Sequence, residues 1–147
     1  MRGAYLASVW LHVLAAMTWI GGMVVFVVVV MPYFRRQPEA VKTAFLSWFG
    51  PRFRAVSWTC FAILASTGTF NLWARGVRFA DFMRPEWHAT PFGQLVLLKL
   101  TLVGVAVLLT IVHDRTASAA SARLMGRSLL LIGLAIVAAA VMLVRTL

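Results

Sequence analysis

The fold is decided by residues 5–31, which read YLASVWLHVLAAMTWIGGMVVFVVVVM. This run has no Lys, Arg, Asp or Glu, and it exceeds the roughly 20 apolar residues that a helix needs to cross a bilayer. It is also too long for the apolar core of a secretion signal, which has about 7–15 residues, so we predict a retained helix. Pro32 is predicted to end this helix, and the length of the run favours tilt or extension beyond the bilayer.

Three further segments, residues 54–73, 92–113 and 127–144, are apolar over a similar length. Of the 147 residues, 62% are hydrophobic and 12% are charged, whereas a soluble domain has roughly 45–50% apolar and about 25% charged residues. A soluble domain of this size has too small an interior to bury that excess. The sequence therefore predicts an all-α integral membrane protein, with a single transmembrane domain over residues 1–147 that forms a four-helix transmembrane bundle.

The segment between the first two predicted helices has a helical pattern of its own. Pro38 opens the pattern, Gly50-Pro51 closes it, and the apolar residues between them share one face: Val41, Phe45, Trp48 and Phe49. We predict a short interfacial helix there, lying along the membrane surface. Residues 76–91 are predicted to form a polar loop, and residues 114–126 a loop with helical ends.

The net charge of +10 is concentrated outside the interiors of the predicted helices, since thirteen of the fourteen Lys and Arg lie in the termini, in connecting segments or at the first residue of a predicted helix. This placement is typical of headgroup contacts, and the lack of a basic stripe interleaved with aromatic residues argues against nucleic-acid binding. Eight basic residues lie on the side that holds residues 33–53 and 114–126, and five lie on the other side. The imbalance predicts that the first side is cytoplasmic and that both the N- and C-termini are outside.

Two ionisable residues stand inside the predicted helices: His12 in the first and Lys99 in the third. Each follows the outer end of its helix by seven residues, which corresponds to a depth of about 10 Å. Because ionisable groups in a membrane are costly and commonly functional, we predict a shared cofactor-binding site in the outer half of the bundle. The alternative is that Lys99 extends outward to the headgroups and that His12 hydrogen-bonds a neighbouring helix.

One face of the first helix carries His12, Ala16, Trp19 and Met23 at helical spacing. Small residues lie beside this face: Ala15, Ala16, Gly21 and Gly22. A bulky planar cofactor and a close helix contact would both need small residues beside a histidine, and the first interpretation makes Trp19 a cofactor contact. Met23 and Cys60 are predicted at similar depths near the cytoplasmic side, and their sulfur atoms are ligands that suit Cu(I). Both residue types are also ordinary packing residues in apolar cores.

The other two histidines are candidate metal ligands with structural alternatives. His88 lies in the predicted outer loop, where it either ligates a metal above His12 or is solvated. His113 follows Lys99 by fourteen residues, so the two share a face of one helix but lie about 21 Å apart and cannot bind the same metal. His113 is otherwise a helix-end cap.

Two motifs resemble the copper-resistance protein D (CopD) family. Residues 10–22, WLHVLAAMTWIGG, resemble its His-x-Leu-Ala-Ala-x-x-Trp-x-Gly-Gly signature, and residues 90–100, TPFGQLVLLKL, resemble its Thr-Pro-Tyr-Gly-x-x-Leu-x-x-Lys segment. Arg52-Phe53 and Thr67-Gly68 also fit the family pattern. The compact four-helix size, with a His in helix one and a Lys in helix three, is similar to the haem-binding HemJ-type protoporphyrinogen oxidases.

The CopD resemblance implies a small protein of the cell inner membrane that binds copper and acts in its uptake or tolerance. His12 would be the principal copper ligand, and Lys99 either a nearby charge or a second ligand. The HemJ resemblance implies haem b instead, with His12 as its axial ligand. The partners implied are the lipid bilayer and a periplasmic metal donor or a quinone. The Gly and Ala stripes are compatible with a homodimer, and a structural subunit of a larger membrane complex is the third alternative.

Overall fold

Helices account for nearly all of the chain in the computed structural model, which describes residues 2–115 and 119–145, without the side chains of 119–123. No strand occurs in those two ranges, so the predicted all-α class is confirmed. The chain divides into two compact units, Met1–Val77 and Arg78–Leu147.

The first unit begins with one long helical stretch that is continuous past the predicted end. Helix α1 (Arg2–Val25) passes through a π-helical turn (Phe26–Val30) into the short helix α2 (Met31–Phe34). The prediction that Pro32 ends the helix is wrong. Proline lacks an N–H, and its ring crowds the carbonyl four residues earlier in a helix. The π turn over Phe26–Val30 changes the hydrogen-bond register shortly before Pro32, and the helical stretch continues through this residue.

The second long helix, α3, spans Glu39–Ala74 without interruption. The prediction that Gly50-Pro51 closes a separate short helix is therefore wrong, because Pro51 lies inside α3. A proline in a helix interior lowers helix stability by about 3 kcal/mol. At Pro51, aromatic rings from before and after the proline stack on one another. Phe49 stacks on Phe45 and on Phe53, in each case with 5.3 Å between ring centroids, and on Phe26 of the π turn at 5.1 Å. Such aromatic pairs contribute about 0.5–1.5 kcal/mol each beyond the burial of their area.

Helices α1 and α3 pack antiparallel, because contacts that move forward along α1 move backward along α3. From the start of α1, the contacting pairs are Tyr5 with Arg75, His12 with Thr67, Trp19 with Phe61, Gly22 with Phe53, and Phe26 with Phe49. Gly22 is required for this approach, since a Cβ there would lie 2.7 Å from Cε2 of Phe53. The contact between the two helices is polar near the start of α1 and aromatic toward its end.

The end of α3 is fixed by a glycine in the left-handed region. Gly76 has φ of +88°, and its N–H donates to the Trp73 carbonyl while the Val77 N–H donates to the Leu72 carbonyl. This pair of bonds is a Schellman motif, which satisfies carbonyls that the helix end leaves without partners.

Three helical stretches of the described residues are long and apolar enough to cross a membrane: Arg2–Phe34, Pro91–Arg115 and Leu124–Arg145. Many of their large apolar side chains are exposed, and Trp10 and Val28, for example, are each 64% exposed. A surface this apolar is unfavourable in water and matches the acyl chains of a bilayer. The chain therefore has the features of a membrane protein.

The predicted helix over residues 54–73 forms the last part of α3, which is not among these three stretches. Its hydroxyl-bearing side chains lower its hydropathy, but each donates to the carbonyl four residues earlier: Ser57, Thr59, Ser66, Thr67 and Thr69. The hydroxyl protons are thus satisfied within the helix itself.

The second unit contains a 3₁₀ helix (Phe79–Met83), the short helix α4 (Pro85–His88), and two long helices, α5 (Pro91–Arg115) and α6 (Ala119–Arg145), which pack against each other. Residues 76–91 were expected to be a loop, but the two short helices occupy much of this segment. Residues 114–126 were predicted as a loop with helical ends, and helix indeed occupies both ends: α5 runs to Arg115 and α6 begins at Ala119, earlier than predicted. Its first residues are Ala, Ser, Arg, Leu and Met, most of which favour helix. Residues 116–118 lie outside the described residues.

Candidate histidine site

The candidate site is built around His12 of α1 and Thr67 of α3. Nδ1 of His12 lies 2.8 Å from Oγ1 of Thr67, and the same hydroxyl donates to the Ile63 carbonyl at 2.5 Å. A hydroxyl has one proton; when the Ile63 carbonyl receives it, Oγ1 accepts from the Nδ1–H of His12. In the neutral imidazole, this bond places the lone pair on Nε2.

Two small residues let the imidazole approach α3. A Cβ on Gly68 would lie 3.3 Å from Cε1 of His12 and 3.8 Å from its Nδ1, so the ring lies directly against this glycine. One turn before His12, the Ser8 hydroxyl donates to the Thr67 carbonyl at 3.4 Å. The backbone and the side chain of Thr67 are therefore both tied to α1, which fixes the height and the rotation of the ring.

This arrangement has the chemistry of a prepared histidine ligand. Histidines that bind metals usually donate their second ring N–H to an oxygen, which fixes the tautomer and the ring orientation. The Thr67 hydroxyl supplies that oxygen here. The alternative from the sequence, that His12 hydrogen-bonds a neighbouring helix, is thus observed, and it is compatible with ligation through Nε2.

The other candidate residues of the first unit are buried in its apolar interior. Trp19 is 3% exposed, and its ring lies 4.8 Å from that of Phe61, so it packs α1 against α3. Met23, one turn further along α1, and Cys60, next to Phe61 on α3, are also buried. Both sulfur atoms therefore lie in the interior of one unit and stay candidate ligands for a soft metal ion such as Cu(I).

His88 of the second unit makes a structural contact. Its Nε2 lies 2.9 Å from the Phe82 carbonyl, and since a carbonyl only accepts, Nε2 carries the proton. The bond ties α4 to the 3₁₀ helix, and the imidazole packs edge-on against the Trp87 ring. This contact favours a structural role for His88, whose second nitrogen, Nδ1, is then the one with the lone pair.

Lys99 and His113 both lie on α5, which is uninterrupted between them. The rise of a helix separates them by about 21 Å, so they cannot ligate one metal. Lys99 is half-buried. Nδ1 of His113 is buried and has no hydrogen-bond partner within residues 2–115 and 119–145. His113 lies in the last turn of α5, which leaves the helix-end cap as its alternative role.

The residues that complete the His12 site did not stand out as site residues in the sequence. Thr67 is one of several hydroxyl residues in α3, and it is separated from His12 by 55 positions. The signal that selects it is the pair Thr67-Gly68, in which a hydroxyl adjoins a residue without a side chain. In the part of the chain that the structure describes, no three His, Cys, Asp or Glu side chains gather closely enough to hold a metal ion.

The second motif, Thr90-Pro91-Phe92-Gly93, builds the start of α5. The Thr90 hydroxyl accepts from the Gly93 N–H at 3.0 Å and donates to the Trp87 carbonyl at 2.7 Å. A Cβ at Gly93 would collide with that same carbonyl. The motif is therefore a helix cap that joins α4 to α5, and it positions Lys99 two turns further along.

No family model, no curated protein and no solved structure matches this chain. The resemblance to the CopD and HemJ-type families therefore rests on the motifs quoted above and stays a prediction.

Proposed function

We propose that this chain is a haem-b-binding membrane protein in which Nε2 of His12 would hold the iron. The observation that carries the proposal is the 2.8 Å bond from His12 to Thr67, which sets the imidazole tautomer that ligation needs. A bound haem would supply one-electron chemistry, while the protein supplies the axial ligand and the surroundings that tune it.

The donor set of the first unit fits haem better than a copper site made of several His or carboxylate ligands. The porphyrin provides four of the iron's ligands, so one oriented imidazole from the protein is sufficient for attachment. Copper needs several protein ligands, and the described residues contain no group of three His, Cys, Asp or Glu. Copper remains the second candidate because Met23 and Cys60 are both buried in the first unit, and sulfur ligands suit Cu(I).

We also propose that α3 supplies a fourth membrane crossing, with its first third at the cytoplasmic surface. The hydroxyl groups over residues 54–73 donate within the helix, which lowers the cost of placing these side chains in lipid. Near Pro51, the Arg52 guanidinium lies 4.4 Å from the centre of the Trp48 ring and donates to the Trp48 carbonyl. Trp and Arg together are typical of the membrane interface. Orientation follows the excess of basic residues on this side, which places both termini outside.

For Lys99, within the second unit, we propose a role in holding an anion such as a lipid phosphate. Ionisable residues inside a membrane-spanning helix are commonly functional, and a lysine two turns from the start of α5 can reach a phosphate at the headgroup level. The alternative is direct ligation by the neutral amine. Arginine separates the two roles, because it keeps the charge and does not deprotonate.

The proposal is tested by measuring the haem content of wild type, His12→Ala and His113→Ala purified from the same host. We expect His12→Ala to retain at least about 10-fold less haem than wild type. Loss of the ligand should lower haem affinity at least as much as loss of the ligand's hydrogen-bond partner would. His113→Ala is the matched control, being also a histidine in a long helix, and should retain wild-type haem. Equal haem content in wild type and His12→Ala would rule out His12 as the ligand.

A further inference from the structure

A cavity of about 720 Å³ lies in the first unit where α1 begins and α3 ends. Its lining combines aromatic side chains with two cations, and it includes Arg2, Tyr5, Phe70, Trp73 and Arg75. None of its lining residues belongs to the His12–Thr67 pair, so the cavity is separate from the proposed haem ligand. A volume of this size is in the range of about 300–1,000 Å³ that small-molecule sites occupy.

The Arg75 guanidinium is oriented by a neutral partner. Its Nε donates to the Tyr5 hydroxyl at 3.0 Å. This contact uses one edge of the guanidinium, while the two terminal nitrogens form a second edge that matches two oxygens of one phosphate. The Tyr5 oxygen accepts from Arg75, so its own proton is the one it can donate to a ligand. Tyr5 and Arg75 together therefore present donors to an anion.

The positive charge at this end has no acidic counterpart nearby in its own unit. The only acidic residue in the sequence of the first unit is Glu39, which begins α3 and pairs with Lys42 at 3.1 Å. Because α3 is continuous from Glu39 to Ala74, its rise puts Glu39 about 50 Å from the Arg75 end. An anion at the cavity would thus meet two cations and no acidic side chain of that unit.

We infer that this cavity binds an anionic phospholipid. Its phosphate contacts Arg2, Arg75 and the Tyr5 hydroxyl, and the part of an acyl chain nearest the headgroup lies against Phe70 and Trp73. Phosphate oxygens are the partners that a guanidinium edge fits best, and the apolar wall favours a phosphate that carries a hydrocarbon chain. A zwitterionic lipid would bring an ammonium group into a cavity lined by two arginines and no acid. The cavity therefore discriminates for net-anionic headgroups, such as phosphatidylglycerol.

The test is a lipid titration of the purified chain in detergent, with bound lipid counted by native mass spectrometry. The probes are dioleoylphosphatidylglycerol, dioleoylphosphatidylcholine and inorganic phosphate. The central variant is Arg75→Gln, and Arg36→Gln is the matched control, because it removes the same charge from an exposed residue just after α2, far from the cavity. Tyr5→Phe deletes one hydroxyl, and it is the second variant if Arg75→Gln does not fold.

We expect wild type to bind phosphatidylglycerol more tightly than phosphatidylcholine. Arg75→Gln should weaken phosphatidylglycerol binding about tenfold, the size of loss expected when a charged hydrogen bond is removed, and Tyr5→Phe should weaken it by less. Arg36→Gln should not change it. The inference is overturned by equal affinity for the two lipids, or by wild-type affinity in both Arg75→Gln and Tyr5→Phe. It is also overturned if inorganic phosphate binds as tightly as phosphatidylglycerol, because the site would then hold a free anion. None of these outcomes depends on haem content, so this test is independent of the His12 proposal.

Discussion

Replacing Thr67 with Val tests the tautomer argument directly, because it removes Oγ1 while keeping a β-branched side chain of similar size. The Nδ1–H of His12 then loses its 2.8 Å acceptor in a half-buried contact between helices. Leaving a buried donor without a partner costs about 1–3 kcal/mol, and about 1.4 kcal/mol corresponds to a factor of ten. We therefore expect haem affinity to fall about 10- to 100-fold, which matches the usual effect of removing the hydrogen-bond partner of a ligating histidine.

The assay is a haem titration followed by the Soret absorbance, with Thr69→Val as the matched control. Thr69 lies on the same helix and donates to the Ala65 carbonyl at 2.8 Å, but it is exposed and is not bonded to a histidine. Thr69→Val should therefore bind haem like wild type. The ¹⁵N chemical shifts of the His12 ring should report one tautomer in wild type and a mixture in Thr67→Val. The reasoning fails if Thr67→Val keeps wild-type affinity, or if both variants lose affinity equally.

Three further results are expected. Gly68→Ala should lower haem affinity without unfolding the protein, because the new Cβ would lie 3.3 Å from Cε1 of His12 and displace the ring by a few tenths of an ångström. A thermal unfolding curve measured beside the haem titration separates a loss of affinity from a loss of stability. Lys99→Met should lose its bound anion and Lys99→Arg should retain part of it; if both are equally empty, direct ligation by the amine is the better account. In intact cells that express the chain with Cys60 replaced by Ser, His88→Cys should react with an impermeant thiol reagent and Ala44→Cys should be protected; the reverse pattern contradicts the proposed orientation.

The sequence predicts the helices well where their hydrophobicity is uniform, and less well where long-range packing decides. The stretches around residues 5–31 and 92–113 are helical because predominantly apolar residues leave the backbone no other way to satisfy its hydrogen bonds in lipid. The local sequence Gly50-Pro51 predicts a helix end. The stack of Phe45, Phe49 and Phe53 with Phe26 on another element reverses that outcome, and no window of sequence around Pro51 contains this contact.

The candidate site was half predictable for a related reason. His12 stands out from the sequence because an ionisable residue in an apolar run is costly and so calls for an explanation. Thr67 does not stand out, since a threonine that bonds to its own helix is common and chemically modest. Its importance comes from the antiparallel contact that places it opposite His12, with Gly68 beside it to admit the ring. Spacing along one helix does not reveal a pairing between two helices.

The visible absorption spectrum of the purified chain tests the central claim most directly. We expect a Soret band that shifts on reduction in wild type, and loss of that band in His12→Ala expressed and purified in parallel. The contradicting result is a wild-type protein that has no Soret band after expression with haem precursor, and that carries stoichiometric copper by elemental analysis. That outcome would replace the haem proposal with the copper site that Met23 and Cys60 favour.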